Sequence, residues 1–168
     1  MSGPTDFQSD VLADLISKLM DGHVKYDFGE KTSQLTAPEN IKGLDCSGFT
    51  DYVFFKITKP SPVDLPAGTK AQNTWFSERY PKVPYDDAAK KDGTLRIAFR
   101  YQTKKRAGHV WFTINGVTLE CTTAAHNNGP CSLTWDRRRD EVDACYELGR
   151  LVPTRLDTAW IPVRKGVP

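Results

Sequence analysis

Cys46 stands in Asp45-Cys46-Ser47-Gly48-Phe49 and His109 in Gly108-His109-Val110, and a thiol with an imidazole is enough for covalent acyl transfer. A thiolate is a far better nucleophile than a thiol, and a helix N-terminus or a nearby imidazolium lowers a cysteine pKa. The residues after Asp45 predict a helix from Cys46 or Ser47 to about Lys56 that buries Phe49, Tyr52 and Val53, which puts the cysteine at the helix start. The small Ser47 and Gly48 leave the backbone approachable, so the Cys46 amide can serve an oxyanion hole. Taken singly, a cysteine is commonly a small core hydrophobe and a strand histidine a satisfied core or surface residue.

A hairpin extends the set. His109 to Ile114 and Val117 to Thr122 flank Asn115-Gly116, whose residues tolerate the positive φ of a two-residue turn. That turn pairs Ile114 with Val117, Thr113 with Thr118, Phe112 with Leu119, Trp111 with Glu120, Val110 with Cys121 and His109 with Thr122. Alternation then puts Val110, Phe112, Ile114, Val117, Leu119 and Cys121 on one apolar face. His109, Trp111, Thr113, Thr118, Glu120 and Thr122 share the other. His109 and Glu120 become diagonal neighbours at roughly 7 Å between α-carbons, and a carboxylate there can hold the imidazole in one tautomer. A register slip of one residue removes the relationship. His126 is the rival for the third role, but its loop placement favours an exposed histidine; His23 reads as a helix-end or surface residue. The Arg137-Arg138-Arg139 run reads as a solvated face with no catalytic role.

The surrounding elements follow from periodicity. Phe7, Val11, Leu12, Leu15, Ile16 and Leu19 predict an amphipathic helix to Met20, capped by Thr5 and ended by Asp21-Gly22. Residues 21–45 read as loop with short extended pieces. Pro60-Ser61-Pro62 breaks the second helix, and a third is expected from about Lys70 to Arg79. Leu95, Ile97, Phe99 and Tyr101 alternate as in a half-buried strand, and segments around Leu133-Thr134-Trp135 and Ala159-Trp160-Ile161 can add edge strands. Helices first and antiparallel strands afterwards indicate an α+β layer fold.

Composition bounds the alternatives. The 168 residues fit one domain over 1–168, and 39% hydrophobic with 26% charged residues is ordinary for a globular chain. A net charge of +2 gives no basic stripe for nucleic acid. No apolar run is long enough to span a bilayer, and Asp6, Asp10 and Asp14 break up the region where a Sec leader would lie. Cys46, Cys121, Cys131 and Cys145 lack CxxC spacing, which disfavours a structural zinc site. Cys121 and Cys131 are the candidates for a disulfide, with a reduced pair equally open.

The ordered Cys and His motifs resemble the NlpC family of bacterial and phage cell-wall cysteine peptidases, a branch of the papain-like fold. Tyr26-Asp27-Phe28-Gly29 is similar to that family's Tyr-x-Trp-Gly-Gly segment, Leu65-Pro66 with Gln72 to its Pro-Arg-x-Ser-x-x-Gln stretch, and Asn115-Gly116 to its hairpin turn. Thr118-Leu119-Glu120-Cys121 with the later Trp135 resembles phage-type members. The resemblance runs from Phe7 to Thr122 and implies N-terminal helices packed on an antiparallel sheet. Carried over, it implies Cys46 as nucleophile, His109 as base and Glu120 as the histidine-orienting third member. Tyr26, Asp45, Ser47, Gly48 and Trp111 are expected on the substrate side. Glu30, Phe28 and Ala67 depart from the family's glycine, tryptophan and arginine, which implies a reshaped groove.

The implied activity is hydrolysis of an amide in the peptidoglycan stem peptide through a thioester, with no metal or organic cofactor. The expected partner is peptidoglycan, with a cognate immunity protein if the chain is an antibacterial effector rather than a phage lysin. The expected protein is a monomer without nucleic acid or membrane insertion, acting in the target-cell periplasm after delivery. A papain-like acyltransferase and an inactive wall-binding module are the alternatives.

Overall fold

A computed structural model describes residues 3–58 and 61–152. The described residues form an α+β fold: three α-helices and a curled six-stranded sheet, with short 3-10 turns between them. Strand β1 (Asp6–Gln8) leads into helix α1 (Ser9–Leu19); β2 (Lys25–Tyr26) and β3 (Gly43–Leu44) precede α2 (Cys46–Ile57) and α3 (Thr69–Ser77). Strands β4 (Thr94–Arg100), β5 (His109–Ile114), β6 (Val117–Thr122), β7 (Gly129–Cys131) and β8 (Ala144–Val152) follow within the described residues. The sheet order is β1-β8-β4-β5-β6-β7, antiparallel except for the β1–β8 pair.

The hairpin forms with Ile114 opposite Val117, Thr113 opposite Thr118 and Phe112 opposite Leu119. Asn115 and Gly116 both take positive φ, 49° and 83°, as a two-residue turn between right-twisted strands requires. Val110, Phe112, Ile114, Val117, Leu119 and Cys121 face the main core, which α1 and α2 cover with Leu12, Ile16, Phe49, Val53 and Phe54. Each such side chain adds about 1.5–3 kcal/mol when taken from water. α1 packs on α2, and α2 on β5 and β6, so the start of α2 abuts the start of β5.

Several expectations are corrected. Phe7 belongs to β1, opposite Leu151, rather than to the first helix, and Gln8 rather than Thr5 occupies the N-cap. The pull is tertiary: Phe7 is buried against Phe54 at 5.9 Å between ring centroids. β4 is buried on both faces, not half-buried, because Tyr85, Ala88, Trp111 and Cys145 form a second cluster over Ala98; Tyr101 lies beyond the strand and is exposed. The edge strand after the hairpin is Gly129–Cys131, where proline is tolerated at a sheet edge, and Thr134 contributes only an isolated bridge to Val117. The strand expected at Ala159-Trp160-Ile161, and Pro60 of the expected helix break, lie outside the described residues. β8 was not anticipated.

Cys121 lies opposite Pro130 and Glu120 opposite Cys131, so the two cysteines project from opposite faces and are free thiols. No helix among the described residues is long and apolar enough to cross a membrane.

Candidate active site

Cys46 is the first residue of α2, and Asp45 caps that helix: its Oδ1 accepts from the Gly48 amide at 2.6 Å and from Ser47 Oγ at 2.9 Å. The Gly48 donor is thereby satisfied, whereas the Cys46 amide is among those that a helix start leaves without an intrahelical partner. Gln72 of α3 donates from Nε2 to the Ser47 carbonyl at 2.9 Å and ties the two helices together beside the thiol.

Tyr26 is brought in by the β2–β3 pair, in which it lies opposite Leu44, two residues before Cys46. Burial pushes its hydroxyl up to about 12, with the Cys46 charge the next contribution. Tyr26, Asp45, Cys46 and Ser47 line a cavity of about 1170 Å³, together with Phe28, residues 67–71, Asn73, Thr74, residues 100–102, Ala107 and Gly108. Phe28, 82% exposed, stands on its rim.

His109 opens β5, and its ring lies against the Cys46 thiol. Its Nε2 is 2.8 Å from Glu120 Oε2, which leaves Nδ1 as the ring nitrogen available to the sulfur. Trp111 stacks on the imidazole at 5.3 Å between centroids, and its Nε1 donates to the Tyr85 hydroxyl at 3.2 Å. Cys46 is 6% exposed, His109 4% and Glu120 0%, so these groups act on one another with little screening by water.

Burial opposes the Cys46 thiolate, yet the hydrogen bond and charge of His109 outweigh it and hold the thiol below its ordinary range. Burial likewise opposes the His109 imidazolium, and hydrogen bonds to Cys46 and Glu120 raise its pKa overall. Burial alone would lift the Glu120 carboxyl; His109 and then Arg138 instead hold it well below the usual carboxylate range. Cys131 and Cys145 are pushed up to about 12 by burial, and Cys121 further still. Of the four thiols, Cys46 alone is shifted downward. A cysteine and histidine in contact at a helix start can form a thiolate–imidazolium pair that attacks an acyl carbon and stabilises the resulting oxyanion.

The remaining expected residues divide. Ser47 lines the cavity, but its hydroxyl is engaged by Asp45. Asp45 reaches the lining while its Oδ1 serves the helix cap. Gly48 does not meet the cavity: a β-carbon there would lie 2.8 Å from the Glu30 carbonyl, so its smallness serves loop packing. Trp111 is fully buried beneath His109 and meets no substrate space. His126 sits exposed in a short turn at Ala124–His126 and is not part of the Glu120 network.

Arg138 overturns the reading of the arginine run as a wholly solvated face. It is 4% exposed, and its Nε lies 3.1 Å from Glu120 Oε2 and 3.3 Å from Oε1. Its Nη2 also bonds Glu120 Oε2, donates to Thr122 Oγ1 at 3.1 Å and lies 3.4 Å from His109 Nε2. Neighbouring Arg137 and Arg139 are exposed. A fully buried glutamate needs a cation, and that requirement was the available signal for an arginine partner. Thr69 was missed as well: it opens α3, with Oγ1 3.8 Å from Cys46 Sγ. Arg100, directly opposite His109 across the β4–β5 pair, joins the cavity wall.

Searches of protein-family models and of curated proteins return no match to this chain.

Proposed function

We propose that this protein is a cysteine hydrolase of the NlpC type, with a papain-like fold, that cleaves an amide bond in the peptide stem of bacterial peptidoglycan. The observation that carries the reading is the line Cys46–His109–Glu120, whose thiol end meets a cavity of about 1170 Å³ while His109 and Glu120 are buried behind it. The stem-peptide substrate rests on the likeness of the Asp45–Phe49 and Gly108–Val110 motifs to that family.

In the proposed cycle the Cys46 thiolate attacks the amide carbon and its electrons move to the carbonyl oxygen, which the Cys46 amide stabilises. As the tetrahedral adduct collapses, the C–N bond breaks and His109 gives its proton to the departing amine, leaving a thioester. Water then attacks the thioester while His109 takes its proton. The C–S bond breaks, a carboxylic acid leaves and gives its proton to solvent, and the thiolate–imidazolium pair is restored. Glu120 holds the ring and its charge throughout. No step calls for a metal or organic cofactor.

The setting in this reading is the periplasm of a target bacterium, reached by a secretion system or during phage lysis. An effector role would add a cognate immunity protein.

The test is incubation of purified peptidoglycan with the wild type and with Cys46→Ala, followed by mass spectrometry of released fragments. New amine termini produced by the wild type and absent with the variant support the reading. Intact walls after treatment with active, folded wild type, across several wall chemotypes, reject it.

A further inference from the structure

Glu120 is loaded on both oxygens. Oε1 accepts from Thr118 Oγ1 at 2.8 Å and from Arg138 Nε, and Oε2 accepts from His109 Nε2 and from Arg138 Nε and Nη2. Arg138 is fixed in turn: Nη1 donates to Glu141 Oε2 at 2.9 Å, and its guanidinium carbon lies 5.7 Å from the centre of the Trp111 ring. Glu141 also pairs with Arg100, the cross-strand neighbour of His109. The charged and titratable groups around the imidazole are therefore Cys46 from α2, Glu120 from β6, Arg100 from β4, and Arg138 and Glu141 from the 135–141 turn.

We infer that Arg138 is a positioning residue for the base: it shares the Glu120 carboxylate with His109, aiming Oε2 at Nε2 and limiting how tightly that carboxylate holds the imidazole's proton. The inference rests on the reading of Cys46, His109 and Glu120 as acyl-transfer machinery. A carboxylate answering to His109 alone would stabilise the imidazolium so strongly that return of its proton to a leaving amine becomes harder. A planar fork on the same carboxylate divides that charge and fixes its plane, which a lysine ammonium cannot do.

A purely structural role predicts a different sign. In Cys46→Ala protein Glu120 is the raising partner that remains, so a site loosened enough to lose the Glu120 bond moves the His109 midpoint downward. Loss of a shared counter-charge moves it further upward.

The experiment follows the His109 ring by NMR from pH 4 to 10 (about the range spanning imidazole titration) in Cys46→Ala protein, which removes coupling to the thiolate. It compares Arg138, Arg138→Met and Arg138→Lys, with Glu120→Gln as reference. Arg138→Met is expected to raise the His109 midpoint by about one pH unit or more. Glu120→Gln is expected to lower it, and Arg138→Lys to keep it near the Arg138 value. With Cys46 present, Arg138→Met and Arg138→Lys are both expected to lower kcat about tenfold with KM within about twofold, because the fork is lost but the cavity wall is untouched.

A midpoint in Arg138→Met that stays put or falls overturns the inference. Should Arg138→Met not fold, since it strips Glu120 and Glu141 of a buried partner, Arg138→Lys decides. A fall as large as that of Glu120→Gln, or unchanged kcat, then overturns it. The titration needs no substrate, so it stands or falls apart from peptidoglycan cleavage.

Discussion

His109 Nε2 and Glu120 Oε2 are 2.8 Å apart across a single hairpin, and both side chains are shut off from solvent. The turn at Asn115-Gly116 sets the register, the register makes the two residues diagonal neighbours, and burial makes their interaction strong. A local turn thus determines which carboxylate meets the candidate base.

The first prediction concerns pH. Because His109 outweighs burial at Cys46, alkylation of Cys46 by iodoacetamide should begin below the ordinary thiol range, about pH 8.5. His109→Ala removes the lowering influence and leaves burial, so the limb should move to or above that range. Peptide mapping checks that the label sits on Cys46. The other three thiols are held protonated by burial and should stay unlabelled in the native protein.

Glu120→Gln should lower turnover by about 10²-fold or more, since an amide can present its N–H to the ring and favour the wrong tautomer. His126→Ala, altering an exposed turn residue, should change turnover by less than about twofold. Steady-state kinetics on the two variants ranks them, and the reverse order would remove Glu120 from the third position.

The hairpin, the helix starting at Cys46 and the apolar face of β5 and β6 were legible because each depends on local signals: a turn pair, helical spacing and alternation. Phe7 and β8 were not. Phe7 fits the helical spacing of α1, yet its partner Leu151 is remote in sequence. β8 has Gly149 at φ 153°, where a β-carbon would collide with the Thr5 carbonyl, and its pairing with β4 shifts register at Leu95/Arg96, so its alternation is broken. Arg138 looked like its exposed neighbours because burial of one residue in a charged run is decided by what it meets across the fold, here Glu120.

Trp111 supports the imidazole from below, so Trp111→Phe should leave KM within about twofold while costing about 1 kcal/mol of stability through the lost Nε1 bond to Tyr85. Denaturant unfolding and steady-state kinetics measure both. A large rise in KM without a change in stability would return Trp111 to the substrate side.

Asp45→Ala should destabilise the fold by about 1–2 kcal/mol, because it removes the cap of α2 and leaves the Gly48 donor unmet. The same change removes a negative charge that holds the Cys46 thiol up and exposes the helix start, so Cys46 alkylation should speed up. Thermal melting and the labelling rate check the two effects together; loss of substrate affinity alone, with both unchanged, would mark Asp45 as a binding residue.

The most direct test of the central claim is digestion of purified peptidoglycan in water enriched in ¹⁸O, with wild-type protein and with Cys46→Ala. Hydrolysis through a Cys46 thioester predicts paired products from the wild type, one with a new amine and one with a new carboxylate carrying a single heavy oxygen, and neither from the variant. Heavy oxygen incorporated equally by Cys46→Ala, or wild-type products without it, would contradict the account.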